Sequence, residues 1–430
     1  PREGFRVTTF QKDGLTGVAV VGRLPKKGEP AGADGTLWGA YDFMERFLGM
    51  RWYYPGKDGR VVPEQNTLTV KPVRYIDAPV RPKRTMYGPV KGFDSGTGLR
   101  RYRAGNSSDV PHTPCHTPGS WSVHKDHPET FELRVDGKRH GNMPCYGNPK
   151  TAELYLKDIE KFYADGDTAV WTHPWPNVDS AWYPPTSKVI PISPPDKGVE
   201  CRCDFCKPLY DRDADRHGRA SRVVARHVRF VAQGVKRRWP DKLVWYLPYS
   251  NYTTPPRDLE LPDNVVVGLC LMHGAANAKE PTCAATHNEW IEGWKRITGR
   301  PVHLWEYMCW PADDTALPFQ YPHVLKKFCQ EHREDVEGTF INGGAGPPGL
   351  PGNYWAFQHP TLYCWFRVMW NPDFNVDAAL EEYIELMYGP AAKPMGQILD
   401  HLITRWENTR WEEPPSGHHV SPRSVHEDPM

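Results

Sequence analysis

The 430-residue chain lacks most of the features that give a quick functional reading. It has no run of about 18 apolar residues, so no membrane-spanning helix is expected. Acid and base nearly cancel, with 53 Lys and Arg against 52 Asp and Glu and a formal net charge of +1. That balance removes the electrostatic signature of a nucleic-acid binder. There is no GxGxxG or Walker pattern to cradle phosphates, no HExxH pair to hold a catalytic zinc, and no GxSxG elbow for a nucleophile. No internal repeat of fixed period occurs. The ten Cys contain no CxxC…CxxC pair, and Cys115, Cys145, Cys270, Cys283, Cys309, Cys329 and Cys364 stand singly, which is unlike a small disulfide framework. The chain starts at Pro1 rather than Met, so the lack of a leader says nothing about export.

Aromatic residues and proline are plentiful instead: 17 Trp, 20 Tyr and 44 Pro. Flat rings stack on the C–H faces of sugars, and they also fill barrels and interfaces, so composition leaves both uses open.

Residues 1–76 read as a small α+β domain. Strands are expected at Phe5–Phe10 and Gly17–Gly22, then a helix over Thr36–Leu48 whose Leu37, Tyr41, Met44 and Leu48 make one apolar stripe. Short strands at Arg51–Tyr54 and Thr67–Val70 complete it. A Pro-rich connector over 77–82 leads to a larger domain, 84–411, opening with a strand at Thr85–Val90. Residues 94–139 form a long stretch dense in Gly, His and Pro. From Lys150 the pattern alternates. Helices are expected at Thr151–Tyr163, Ser221–Trp239, His287–Ile297, Pro322–His332 and Val376–Met387, and strands at Val189–Ile192, Leu243–Tyr249, Val265–Leu271, Pro301–Tyr307 and Gly338–Ile341. Such alternation signals βα units, and strands with little polar alternation are covered on both faces. The expected fold is therefore α/β, a (β/α)8 TIM-like barrel preceded by the small α+β domain. Residues 412–430 read as a polar, Pro-rich tail expected to be poorly ordered.

In such a barrel the strand ends converge on one rim. PVHLWEYMCW, Pro301–Trp310, delivers Trp305, Glu306 and Tyr307 there; other strands deliver Asp196, Tyr249 and Asn251, His273, and Asn342. Glycosidic cleavage needs an acid for the leaving oxygen and a second group that stabilises positive charge at the sugar carbon. Glu306 between two aromatic residues suits the acid role, with Asp196 as stabiliser or orienting base. The bland readings are a salt bridge to a core arginine for Glu306 and a turn cap for Asp196. His127 and Trp171 complete the candidate sugar contacts.

Cys201-x-Cys203-x2-Cys206 is spaced to share a zinc ion with His217 or another ligand. Spacing does not supply the fourth ligand, and His112, His116, His124 and His127 are irregularly placed, so no metal and no cofactor is assigned.

Five segments go together: GTLWGAYDFMERFLGMRWYYPGKDGRVVP at Gly35–Pro63, HPETFEL at His127–Leu133, SPPD followed by CRCDFC, WEY at Trp305–Tyr307, and VMWNPDFNVDAALEEYIELMYGPAAKPM near the end. Together they resemble bacterial proteins of the domain-of-unknown-function family 4838, related to glycoside hydrolase family 163, with an amino-terminal domain similar to that of family 67 α-glucuronidases. The resemblance implies a barrel glycosidase. Characterised relatives release N-glycans by cutting at N-acetylglucosamine with retention, which fits participation of the substrate acetamido group; position in this sequence then assigns Glu306 as acid/base and Asp196 as the residue orienting the acetamido group. It also implies an extracytoplasmic location. The aromatic segment Trp171–Pro185 departs from the family pattern, so the sugar itself is not carried over. The partner expected is a glycan, with no nucleic acid and no membrane span, and oligomeric state stays open. The alternatives are a non-catalytic glycan-binding barrel and a glycosidase for uronic acids or other sugars.

Overall fold

A computed structural model of the chain describes all residues except 1–2, 24–34, 55, 88–96, 111–112, 173–182, 272–273, 308–319, 343–353, 412–423 and 427–430. The chain packs as two compact units, one of residues 1–108, 273–285 and 305–430, the other of residues 109–272 and 286–304.

In the first unit Phe5–Lys12 is the middle strand of a three-stranded antiparallel sheet, between Leu15–Gly22 and Arg74–Asp77. The helix Gly35–Phe47 packs on it through Trp38 and Tyr41. A Cβ at Gly39 would sit 2.5 Å from Val20 Cγ1, so only glycine lets helix and strand approach this closely. A unit of this size buries too little surface to stand alone. Its core is completed by Trp370, the last residue of the helix Tyr354–Trp370. Arg51 and Tyr53 likewise bond Glu382 of the helix Val376–Tyr388, at 2.6 Å each to Oε1.

Two expectations fail here for visible reasons. Thr67–Val70 is not a strand; the sheet takes Arg74–Asp77 instead, where Tyr75 lies opposite Val7. The helix Tyr354–Trp370 is absent from the sequence reading because residues 361–370 are all buried, leaving no polar face to set a helical period. The helix Ala392–Asn408 was missed as well. Within the tail, Ser424–His426 pairs antiparallel with Thr409–Trp411.

The alternating region matches expectation closely: Val189–Ile192, Leu243–Tyr246, Val265–Cys270, Val302–Tyr307 and Val336–Asn342 are strands. With Lys83–Tyr87 and Gly105–Asn106 they form one seven-stranded sheet in the order given, ending at Gly105–Asn106. Val189–Ile192 with Leu243–Tyr246, the latter with Val265–Cys270, and Val336–Asn342 with Lys83–Tyr87 are parallel pairs. The protein is thus mixed α/β with a largely parallel sheet. The full eight-stranded parallel barrel is not found among the described residues, because Gly105–Asn106 runs antiparallel to Lys83–Tyr87. The stretch that would supply another βα unit instead makes the short helix Thr97–Arg101 and a separate hairpin, Phe131–Leu133 with Arg139–Pro144.

In the second unit the helix Pro149–Asp165 starts where Asn148 Oδ1 accepts from Lys150 N at 3.0 Å, and it stops at Gly166, whose φ of 78° is the left-handed cap.

Candidate active site

The strand Val302–Tyr307 is buried at every position but the half-buried Trp305. Its Glu306 is 1% exposed. Gly274, at φ +62°, turns the chain into the short 3-10 helix Ala275–Asn277, and Ala275 N–H donates to Glu306 Oε2 at 2.9 Å. That turn is held from behind: Trp406 Nε1 donates to Ala276 O at 3.0 Å, and the Lys279 ammonium lies 4.9 Å over the Trp406 ring and bonds Thr409 O. Glu306 Oε1 has no hydrogen-bond partner among the described residues. Burial pushes the carboxyl up to about 8, against the opposing pull of Ala275 N–H, the Arg81 charge and Tyr307 N–H. Arg81 is fully buried, donates from Nη1 to Thr339 Oγ1 at 3.1 Å, and leaves Nε and Nη2 without partners among the described residues. It therefore acts on Glu306 through space, and the expected alternative of a tight arginine pair is not what the geometry shows. Cys329, on the helix Pro322–Glu331, feels both charges. Strand alternation puts Trp305 and Tyr307 on the face opposite Glu306, where Trp305 stacks on Phe340 at 4.5 Å. The result is a carboxylic acid that keeps its proton at neutral pH, with one oxygen fixed and one without a hydrogen-bond partner among the described residues.

Asp196 belongs to the second unit and its setting is different. It follows Val189–Ile192 after Ser193, whose N–H donates to Thr117 O at 2.8 Å and whose Oγ donates to Pro114 O at 3.0 Å. Asp196 is exposed and hydrogen-bonded to the Tyr249 hydroxyl; burial and the Asp196 charge push that phenol well above its ordinary range. The same charge adds to burial in raising the Cys115 thiol to about 12. Asp196, Tyr249 and Cys270 thus gather at the carboxyl ends of three neighbouring parallel strands, where α/β sheets place their sites.

The remaining candidates scatter. Asn251 spends its carboxamide on one residue, accepting from Val199 N and donating to Val199 O at 2.9 Å each, so it clamps the loop after Asp196. Trp171 is wholly buried, its Nε1 3.3 Å from Tyr155 OH and its ring against Phe162; it is core. His127 lies on the surface with Nδ1 3.4 Å from Glu129. Asn342 closes its strand opposite Tyr87. His273, His112 and most of Trp171–Pro185 lie outside the described residues. Sequence reasoning missed Arg81, Ala275 and Trp406. Arg81 in a Pro-flanked connector carries no signal of burial, and a backbone N–H has no residue type to find.

A charged cavity of about 430 Å³ lies elsewhere in the first unit, lined by Asp42, Glu45, Arg51, Arg103, Arg367 and Glu382 among others. Its charges already answer one another. Arg367 and Arg103 donate to Glu45 Oε2 at 2.8 Å each; burial alone would raise this carboxyl, but the two guanidinium charges and their hydrogen bonds hold it at about 2. This is an ion-pair lattice within the fold.

A family described as a domain of unknown function, DUF4838, matches residues 54–400. The chain belongs to the DUF4838 family. No curated protein matches this DUF4838 chain. Among solved structures it is similar to a family 89 glycoside hydrolase from Clostridium perfringens, in complex with 2-acetamido-1,2-dideoxynojirmycin, at 10% identity and TM-score 0.48 over 92% of this chain and 48% of that one. It is also similar to an O-GlcNAc hydrolase of Thermobaculum terrenum, at 14% identity and TM-score 0.32 over 59% of this chain and 47% of that one. A GH138 enzyme targeting pectin rhamnogalacturonan II matches at 12% identity and TM-score 0.38, over 95% of this chain and 49% of that one. This DUF4838 chain spans about half the length of each. Likeness this loose carries no argument about its chemistry.

Proposed function

We propose that the protein is a glycosidase, a hydrolase of O-glycosyl bonds acting on an amino-sugar-containing glycan. The observation that carries the proposal is Glu306: a buried carboxyl raised to about 8, one oxygen fixed by Ala275 N–H and the other without a hydrogen-bond partner among the described residues. A proton donor to a leaving sugar oxygen must hold its proton at working pH and present it from a fixed position, and this group meets both demands. For Asp196, hydrogen-bonded to the Tyr249 hydroxyl, the proposed role is orienting a substrate acetamido group. An extracytoplasmic location belongs to the same reading.

The test is the wild type and Glu306→Gln on a library of amino-sugar glycans, with products measured by mass. The expected outcome is release by the wild type and a loss of about 10²–10⁴-fold in the variant. Undiminished release by the variant on a substrate with a poor leaving group overturns the proton-donor role.

A second reading, a glycan-binding protein without catalysis, is favoured by one observation: Glu306 is 1% exposed and shares its strand face with a helix-borne Cys329 and the buried Arg81. Glycan binding by the wild type with no release from any member of the library selects it.

A further inference from the structure

Three cysteines close together in the chain and a fourth more than fifty residues away meet in the second unit. Cys145, Cys201, Cys203 and Cys206 are all buried, and their sulfurs lie within 4.8 Å of one another. We infer that these four side chains hold one zinc ion in a closed, structural four-thiolate site. The three sulfur pairs made by Cys145 measure 3.4 Å to Cys203, 3.5 Å to Cys201 and 3.6 Å to Cys206. A tetrahedron of sulfurs with zinc–sulfur bonds of about 2.3 Å has edges of about 3.8 Å, so the cluster needs only a slight expansion to accept the ion. A disulfide, with sulfurs about 2.05 Å apart, fits none of these pairs. Among the described residues no other group of His, Cys, Asp and Glu has such convergence.

The surroundings are built for thiolates. Leu133 N–H donates to Cys201 Sγ at 3.3 Å, and the Arg139 guanidinium hydrogen-bonds Cys203. Four thiolates and one divalent cation leave a net charge of −2, which these donors offset; metal binding releases the four thiol protons to solvent. Gly147 leaves room for the approach, since a Cβ there would lie 2.6 Å from Cys206 Sγ. Cys145 is fixed by its own backbone, donating to Thr130 O at 2.7 Å and accepting from Thr151 Oγ1 at 2.8 Å. His217, the fourth ligand that spacing suggested, is not in the group; its ring packs on Trp290.

The ion would tie two pieces of the chain. Cys145 directly follows the hairpin strand Arg139–Pro144, just ahead of the helix Pro149–Asp165, while the other three lie on the loop that begins at Asp196. That loop is stitched to the hairpin by Arg202 N to Leu133 O at 2.8 Å and Glu200 N to Glu132 Oε1 at 2.9 Å.

Purified protein, desalted exhaustively, is analysed for metals by elemental mass spectrometry. The expected result is close to one zinc per chain, lost in Cys145→Ser and in Cys203→Ser and kept in Cys283→Ser. So that the site does not rest on serine variants folding, a second measurement uses the wild type: protein stripped of metal and refolded with Co²⁺ should develop the intense visible bands and near-ultraviolet sulfur-to-cobalt charge transfer of a tetrahedral thiolate site. Metal-free protein whose ten cysteines all titrate as thiols after unfolding, disulfides among the four, or a cobalt complex without thiolate bands overturns the site. Iron bound in zinc's place overturns the choice of ion.

Discussion

Replacing Glu306 by glutamine tests the buried acid without any substrate. A carboxyl ordinarily near 4.5 that stands at about 8 in the fold resists ionisation by about 5 kcal/mol, at about 1.4 kcal/mol for each pH unit between the two values. Between those limits the unfolded chain has released this proton and the folded chain still holds it. Raising the pH therefore favours the unfolded state, and the stability present below about 4.5 is lost progressively until pH reaches about 8. Glutamine cannot ionise, so this slope disappears from the variant while the Ala275 N–H keeps an oxygen to bond. Urea unfolding of both proteins at about pH 5.5 and about pH 7.5 measures the difference; across those two units the variant should gain about 3 kcal/mol relative to the wild type. Parallel profiles would mean that Glu306 ionises like an exposed carboxylate, and the proton-donor reading would lose its physical basis.

Arg81→Met removes the cation that pulls the Glu306 carboxyl down, so the wild-type loss of stability with pH should continue above about 8 in this variant, as the same urea series will show. Tyr249→Phe deletes the hydroxyl that holds Asp196 and should lower kcat by about tenfold with an unchanged circular dichroism spectrum, a neutral result counting against a role for Asp196. Asn251→Ala strands Val199 N–H and leaves Val199 C=O with the Tyr210 hydroxyl alone, and should cost about 1–3 kcal/mol in chemical denaturation. Glu45→Gln leaves Arg367 buried without its ion-pair partner and Arg103 with Asp42 alone, and should cost about 3–5 kcal/mol at neutral pH. Since that carboxyl is held at about 2, its contribution is full above about 4.5 and fades as pH falls toward 2, so the wild type but not the variant should lose it during acid unfolding.

Local pattern was enough for the regular elements. Val189–Ile192 is a strand with the bounds its four apolar residues suggest, and Ser221–Arg238 and Pro322–Glu331 end within one residue of expectation, because period and end signals are written within a dozen neighbouring residues. Where the period vanishes, as over the wholly buried residues 361–370, a helix cannot be told from any other buried run. Glu306 and Asp196 were legible as acids at strand ends, since residue type and position are local facts.

What each acid experiences is not local. The raised proton affinity of Glu306 comes from burial, which outweighs the opposing pull of a backbone N–H at Ala275 and of the Arg81 charge, and the Asn251 clamp comes from a loop more than fifty residues away. The cysteines show the division most clearly. Three of the four lie in six residues, a spacing that leaves any tetrahedral site one ligand short. Cys145, fifty-six residues upstream of Cys201, joins them only when the hairpin folds against their loop, because the fourth corner of a tetrahedron is a position in space, which no interval along the chain encodes.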